Sequence, residues 1–214
     1  MEILHEDHDL IVCIKPVGVL SQNGKAGEET MVSMLEVHTG GTIYPVHRLD
    51  KEVGGVMVYA KTQKTAAFLS SQIQQGTMKK EYLAVVSGHP AEPTGVLTDL
   101  LYHDKGKNKS YVVKRTRKGV KEARLSYCVL QQERDKTLVQ VRLFTGRTHQ
   151  IRVQFASRKL PLMGDGRYGG LSGKPALWSV RLTLTMPGGN VRSFFRLPES
   201  LGGVTEFGPL AEME

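Results

Sequence analysis

Short apolar segments that stop at Gly- or Pro-containing turns, with few helical stretches between them, constrain this chain more than any other feature. Leu10-Ile11-Val12-Cys13-Ile14 halts at Lys15-Pro16-Val17-Gly18 and reads as a buried strand entering a turn. Val56 to Ala60 reads as another strand. Glu81 to Val86 is a third, with Tyr82, Ala84 and Val86 on one side and Leu83 and Val85 on the other, ended by Gly88-His89-Pro90. Leu138 to Leu143 alternates as a half-buried strand, and Leu177 to Leu197 supplies two more runs around the turn signal Pro187-Gly188-Gly189-Asn190. Two helices interrupt the series. Thr62 is placed to cap one whose Ala66, Leu69 and Ile73 share a face and whose stop is Gly76; Thr148 is placed to cap a shorter one carrying Ile151 and Phe155 inward, with Arg152 near its start. Strands joined through hairpin-like turns favour an α+β fold with a mixed, mainly antiparallel sheet over a doubly wound parallel one.

The chain has 214 residues and 40% hydrophobic content, enough for one compact domain spanning 1–214, with a two-lobed unit equally allowed. A net charge of +8 favours a polyanionic partner such as nucleic acid. Cys13 and Cys128 are too few and too separated for a disulfide framework or a metal pair, which points to a reducing cytoplasm. The N-terminal Met1 to Asp9 is acidic and polar where a signal peptide would be basic and then apolar, and no apolar run is long enough to span a bilayer.

The chemistry concentrates in Pro45-Val46-His47-Arg48-Leu49-Asp50-Lys51-Glu52-Val53-Gly54-Gly55, a charged turn ahead of a strand. Asp50 sits between two cations, and a carboxylate so placed can attack carbon or abstract a proton. Further segments stand at matching order and spacing: Lys80-Glu81-Tyr82-Leu83-Ala84-Val85-Val86-Ser87-Gly88, Thr145-Gly146-Arg147-Thr148-His149-Gln150-Ile151-Arg152-Val153, Pro161 to Gly169, and Lys15-Pro16-Val17-Gly18. Together these resemble the RluA family of RNA pseudouridine synthases, whose signatures read H-R-L-D-x-x-T-S-G, K-x-Y-x-A-x-V-x-G, T-G-R-T-H-Q-I-R-V-H, P-x-x-G-D-x-x-Y-G and K-P-x-G. The resemblance runs over nearly the whole chain. Three departures stand out: Val53-Gly54 in place of Thr-Ser, Gln154 in place of a histidine, and Leu177-Trp178-Ser179 in place of L-H-A.

The resemblance implies a pseudouridine synthase fold with a central basic cleft and an isomerase acting on a uridine of tRNA or rRNA, without cofactor or metal. Asp50 would be the catalytic carboxylate, acting as nucleophile at ribose C1′ or as base toward C2′. Arg152 would pair with it, and Tyr82 would lie against the uracil and take the C5 proton. Arg48 would fill the space left by the flipped nucleotide. His47, Lys80, Arg147 and Leu177 complete the expected substrate contacts, although Lys80 also reads as a solvated strand-end charge and Leu177 as plain core. The implied partner is RNA, not DNA or a membrane, and the chain is expected to act as a monomer. With few residues ahead of the first predicted strand, the RNA-binding S4 domain that many relatives carry is not expected there. The basic stretch Asp104 to Lys121 reads as a phosphate-contacting hairpin or as a solvated one.

Rival chemistries are weaker. His47, His149 and Asp50 lack a usual metal-ligand pattern. Gly173-Lys174 mimics the end of a phosphate loop, but Tyr168 holds the first glycine position and Pro175 the Ser/Thr position. No G-x-S-x-G occurs. A different class of reading remains: an RNA-binding protein whose catalysis is lost through the Val53-Gly54 change.

Overall fold

The computed structural model describes residues 1–22, 24 and 27–213. It divides into two compact units, one built from Met1–Lys80 and Ser179–Pro198, the other from Glu81–Trp178 and Glu199–Glu214.

In the first unit, β2 (Leu10–Lys15) lies between β1 (Glu2–Glu6) and β4 (Gly54–Ala60), antiparallel to both. All six residues of β2 are buried, as expected for an apolar run with neighbours on both edges. β1 lies outside any predicted segment: its Glu2 and Glu6 are exposed and only its middle is half-buried, so it lacks the apolar content that betrays a strand. The short β3 (Tyr44–Pro45) also pairs with β4. Helix α1 (Met31–Thr39) was likewise not anticipated. Thr30 and Ser33 bond reciprocally at its start in a capping box and Gly40 closes it at φ 66°. α2 (Gln63–Gln75) follows the predicted form, with Thr62 as cap and Gly76 in the left-handed region. Of the predicted face only Leu69 is buried, Ala66 and Ile73 being half-buried, and the buried stripe is Thr65, Leu69 and Gln72. Gln72 tolerates burial because its amide meets the Thr185 backbone twice, donating to the carbonyl at 2.9 Å and accepting from the N–H at 2.8 Å.

The second unit orders its strands β5-β9-β8-β6-β7, namely β5 (Lys79–Ser87), β6 (Thr94–Asp104), β7 (Lys109–Val113), β8 (Val120–Gln132) and β9 (Lys136–Leu143). Pairs β6/β7 and β8/β9 are antiparallel hairpins of the kind the turns imply, and β6 also pairs antiparallel with β8, the next strand but one. The residues of β5 from Lys80 to Val86 are all buried, so both its side-chain faces are covered. α3 (Gln150–Ala156) buries Ile151, Val153 and Phe155, and Val153 joins Leu101 and Ala123 in a core cluster flanked by Val112 and Tyr168. Fully burying aliphatic side chains of this size contributes about 1.5–3 kcal/mol each. Its cap is His149 at φ 55°, with no side-chain cap bond, so the predicted Thr148 cap is corrected by one residue. Thr148 contributes its carbonyl instead, accepting from Ser110 Oγ at 2.6 Å.

The hairpin β10 (Leu177–Thr185) and β11 (Val191–Phe195) brackets Pro187 to Asn190 as predicted. β10 lies beside β4. There, a Cβ on Gly55 would stand 2.2 Å from the Ser179 carbonyl oxygen, and Gly55 has φ +120°; both demand glycine.

Candidate active site

The loop from His47 to Val53 belongs to the first unit. Leu49 and Val53 are buried, Asp50 and Glu52 are half-buried, and Arg48 and Lys51 reach solvent. The apolar residues on either side of Asp50 therefore point into the core while the carboxylate stays within reach of a ligand. Val53 N–H donates to the Asp50 carbonyl at 3.0 Å, closing a tight turn. At 1% exposure Val53 is a core residue, so the first departure exchanges a hydroxyl for apolar packing. The residue at positive φ after the loop is Gly55, the second of β4.

His47 is tied to β4, where Val58 N–H donates to its Nε2 at 3.2 Å. Burial, with the charge of Lys80 adding to it, pushes its pKa down to about 3, so the ring is neutral and carries its proton on Nδ1. Lys80 is buried, at 8% exposure, which removes its reading as a solvated strand-end charge.

The remaining expected residues belong to the second unit. Tyr82 on β5 and Leu177 at the start of β10 are both buried. Arg147 donates through Nε to the Glu122 carbonyl at 2.8 Å. Arg152, on the first turn of α3, is buried and grips Asp165 at two points, Nε to Oδ2 at 2.6 Å and Nη2 to Oδ1 at 2.8 Å. This fork geometry is the strongest kind of carboxylate recognition. Asp165 was not anticipated in this role, although it sits in the Pro161 to Gly169 segment; an acid 13 residues beyond Arg152 gives no local sign that it folds back. Tyr168 lies against the same guanidinium, 5.2 Å from Cζ to the ring centroid. Its hydroxyl accepts from Ser110 N–H at 2.7 Å and lies 2.9 Å from His149 Nδ1. Gln154, the second departure, is fully buried and donates to the Asp99 carboxylate at 2.7 Å, linking α3 to β6.

The basic stretch comprises the turn after β6, strand β7 and the segment leading into β8. Lys105, Lys107, Lys114, Arg115, Lys118 and Lys121 are exposed. Arg117 stacks on Tyr102 at 4.7 Å, and Lys109 lies near the rings of Tyr111 and Tyr168.

These motifs have counterparts in known proteins. A model of the RNA pseudouridylate synthase family matches residues 9–157, and the chain belongs to that family. A protein of Aquifex aeolicus named an uncharacterized RNA pseudouridine synthase is 38% identical over 181 residues, 79% of this chain and 56% of its own length. Ribosomal large subunit pseudouridine synthase D of Nitrosomonas europaea is 37% identical over 186 residues, 82% of this chain and 52% of its own. The chain thus spans about half the length of the curated relatives it matches. Among solved structures, human RNA pseudouridylate synthase domain containing 4 superposes with a TM-score of 0.75 at 23% identity, covering 92% of this chain and 88% of that one. Human RNA pseudouridylate synthase domain containing 1 gives 0.77 at 20% identity, covering 92% and 83%. At such identities these structures speak for the fold, which is α+β with a mixed sheet. Among the described residues, no helix is long and apolar enough to cross a membrane.

Proposed function

We propose that this chain isomerises a uridine in tRNA or rRNA to pseudouridine in the cytoplasm. In that reaction the N1–C1′ bond breaks, the uracil turns, a C5–C1′ bond forms, C5 loses its proton and N1 gains one. Atoms and electrons balance without redox cofactor or metal. Asp50 acts on the sugar, by adding to C1′ or by taking a C2′ proton. Arg152 supplies the cation that orients the carboxylate, Tyr82 stacks on the uracil and receives the C5 proton, and Leu177 forms apolar floor beneath the base. Arg48, exposed on the turn, fills the gap left by the flipped nucleotide, with His47, Lys80 and Arg147 supporting the bound strand.

The observation carrying this reading is the Asp50 turn itself: a carboxylate held at partial exposure between two buried residues, Leu49 and a residue of the core, Val53. Several relatives bear ribosomal large subunit names, which favours rRNA as the substrate. The test is to incubate the protein with total RNA and map pseudouridine by carbodiimide-dependent primer stops. New stops that disappear with Asp50→Asn support the enzyme. RNA binding without stops would instead mark a binding protein that has lost catalysis.

A further inference from the structure

A carboxylate that reacts with carbon must be held closely, because a misplacement of about 1 Å can cost on the order of 100-fold in rate. The loop carrying Asp50 has no hydroxyl at Val53 or Gly54 to brace it from within. Hydrogen bonds reach it from a segment about thirty residues upstream. Ser21 Oγ donates to the Leu49 carbonyl at 2.7 Å and accepts from Leu49 N–H at 2.9 Å. A single hydroxyl thereby satisfies both backbone groups of the residue preceding Asp50, using its one proton and one of its lone pairs. Ser21 and Leu49 are both buried, so water does not compete for those bonds. Ser21 is itself held, since the fully buried Tyr59 donates its hydroxyl proton to the Ser21 carbonyl at 2.8 Å.

The residue following Asp50 is held in the same way. The Lys51 carbonyl accepts from Gly18 N–H at 2.8 Å and from Lys15 Nζ at 3.1 Å. Lys15 is fully buried and also donates to the carbonyls of Pro16 and Val19, so three carbonyls meet its three protons. Burial brings its pKa down to about 8 against the pull of Glu52 and Asp50, which places the ammonium within the electrostatic reach of the proposed catalytic group.

We infer that Ser21 is a positioning residue for Asp50, fixing the backbone on its N-terminal side while Lys15 and Gly18 fix it on the other. This rests on the reading of Asp50 as the catalytic carboxylate. The test compares Ser21→Ala, Ser21→Thr and Tyr59→Phe with Thr62→Ala. The last removes the cap bond of α2 to Thr65 N–H, a destabilisation of similar size that leaves the loop untouched. Single-turnover rates at saturating protein, apparent RNA affinity and amide exchange at Leu49 are measured together. Ser21→Ala is expected to slow the chemical step by roughly 10- to 100-fold, with affinity changed less than about twofold and Leu49 exchange accelerated. Ser21→Thr, which restores a hydroxyl, recovers rate. Tyr59→Phe has a smaller effect in the same direction and carries the test if Ser21→Ala does not fold. A wild-type rate in Ser21→Ala, or an equal slowing in Thr62→Ala, overturns the inference. If the wild-type protein forms no pseudouridine, the functional reading falls, and unchanged Leu49 exchange in Ser21→Ala then overturns the clamp as well.

Discussion

Replacing Asp165 with Asn tests whether the Arg152 grip is an energetic anchor of the second unit. The change keeps the shape of the side chain and one carbonyl oxygen. It replaces the other oxygen with an NH₂ group, so whichever way the amide turns, one of the two bonds at 2.6 and 2.8 Å becomes donor against donor. The partners expose 8% and 1% of their side chains, so solvent cannot take over the missing role. Removing one member of a buried ion pair costs about 3–5 kcal/mol. For a chain of this length each kcal/mol lowers Tm by roughly 2–4 °C, giving an expected fall of about 6–20 °C by calorimetry or circular dichroism. A cycle with Arg152→Met and Asp165→Leu provides the second reading: with both charges gone the double variant should regain at least about 1 kcal/mol over the sum of the single losses, the scale of coupling between contacting residues. Asp165→Asn within about 1 kcal/mol of wild type, or strict additivity in the cycle, would refute the argument that this pair holds α3 to the Pro161 to Gly169 segment.

Acid should act on His47. Its pKa is about 3 in the fold against roughly 6.5 in the unfolded chain, so between those values the unfolded state binds the extra proton. Stability therefore falls as pH drops below about 6.5 and rises on the way back; ring signals of His47 in NMR should remain those of a neutral imidazole at pH 5, and a protonated ring there would contradict the assignment. For the basic stretch, replacing Lys114, Arg115 and Lys118 with Ala should lower the slope of log affinity against log salt by about 0.7 for each phosphate that is no longer neutralised, with single-turnover rates at saturating protein unchanged; an unaltered slope would mean that these side chains touch no phosphate.

Where local chemistry decides the structure, the sequence was readable. Thr62 and Gly76 bound α2, Pro187 to Asn190 turns β10 into β11, and Ile151 with Phe155 points α3 inward. It was opaque where distant groups decide. α1 is opened by Thr30 with a serine, not an acid, at its third position, which weakens the signature. β1 holds its place by pairing along β2 despite charged ends. His149 takes a left-handed conformation that no neighbour announces, moving the cap off Thr148. For the candidate site, Asp50 and its turn could be read from the motif alone. What braces them could not, because Ser21 and Lys15 act through backbone carbonyls, which every residue has and no motif records.

The order in which the ribosome delivers these segments now matters. Strand β4 grows directly from the Asp50 turn, and its neighbour β10 begins at Leu177. At synthesis rates of roughly 5–20 residues per second, the intervening hundred or so residues take on the order of 5–20 s to emerge. Until then Gly55 faces no Ser179 backbone and the amide of Gln72 has no Thr185 to meet. Until β10 emerges, that edge of β4 meets just the short β3 at Tyr59 and Ala60 and is otherwise open to pairing with the wrong chain, and this interval is when a chaperone would have the most to cover.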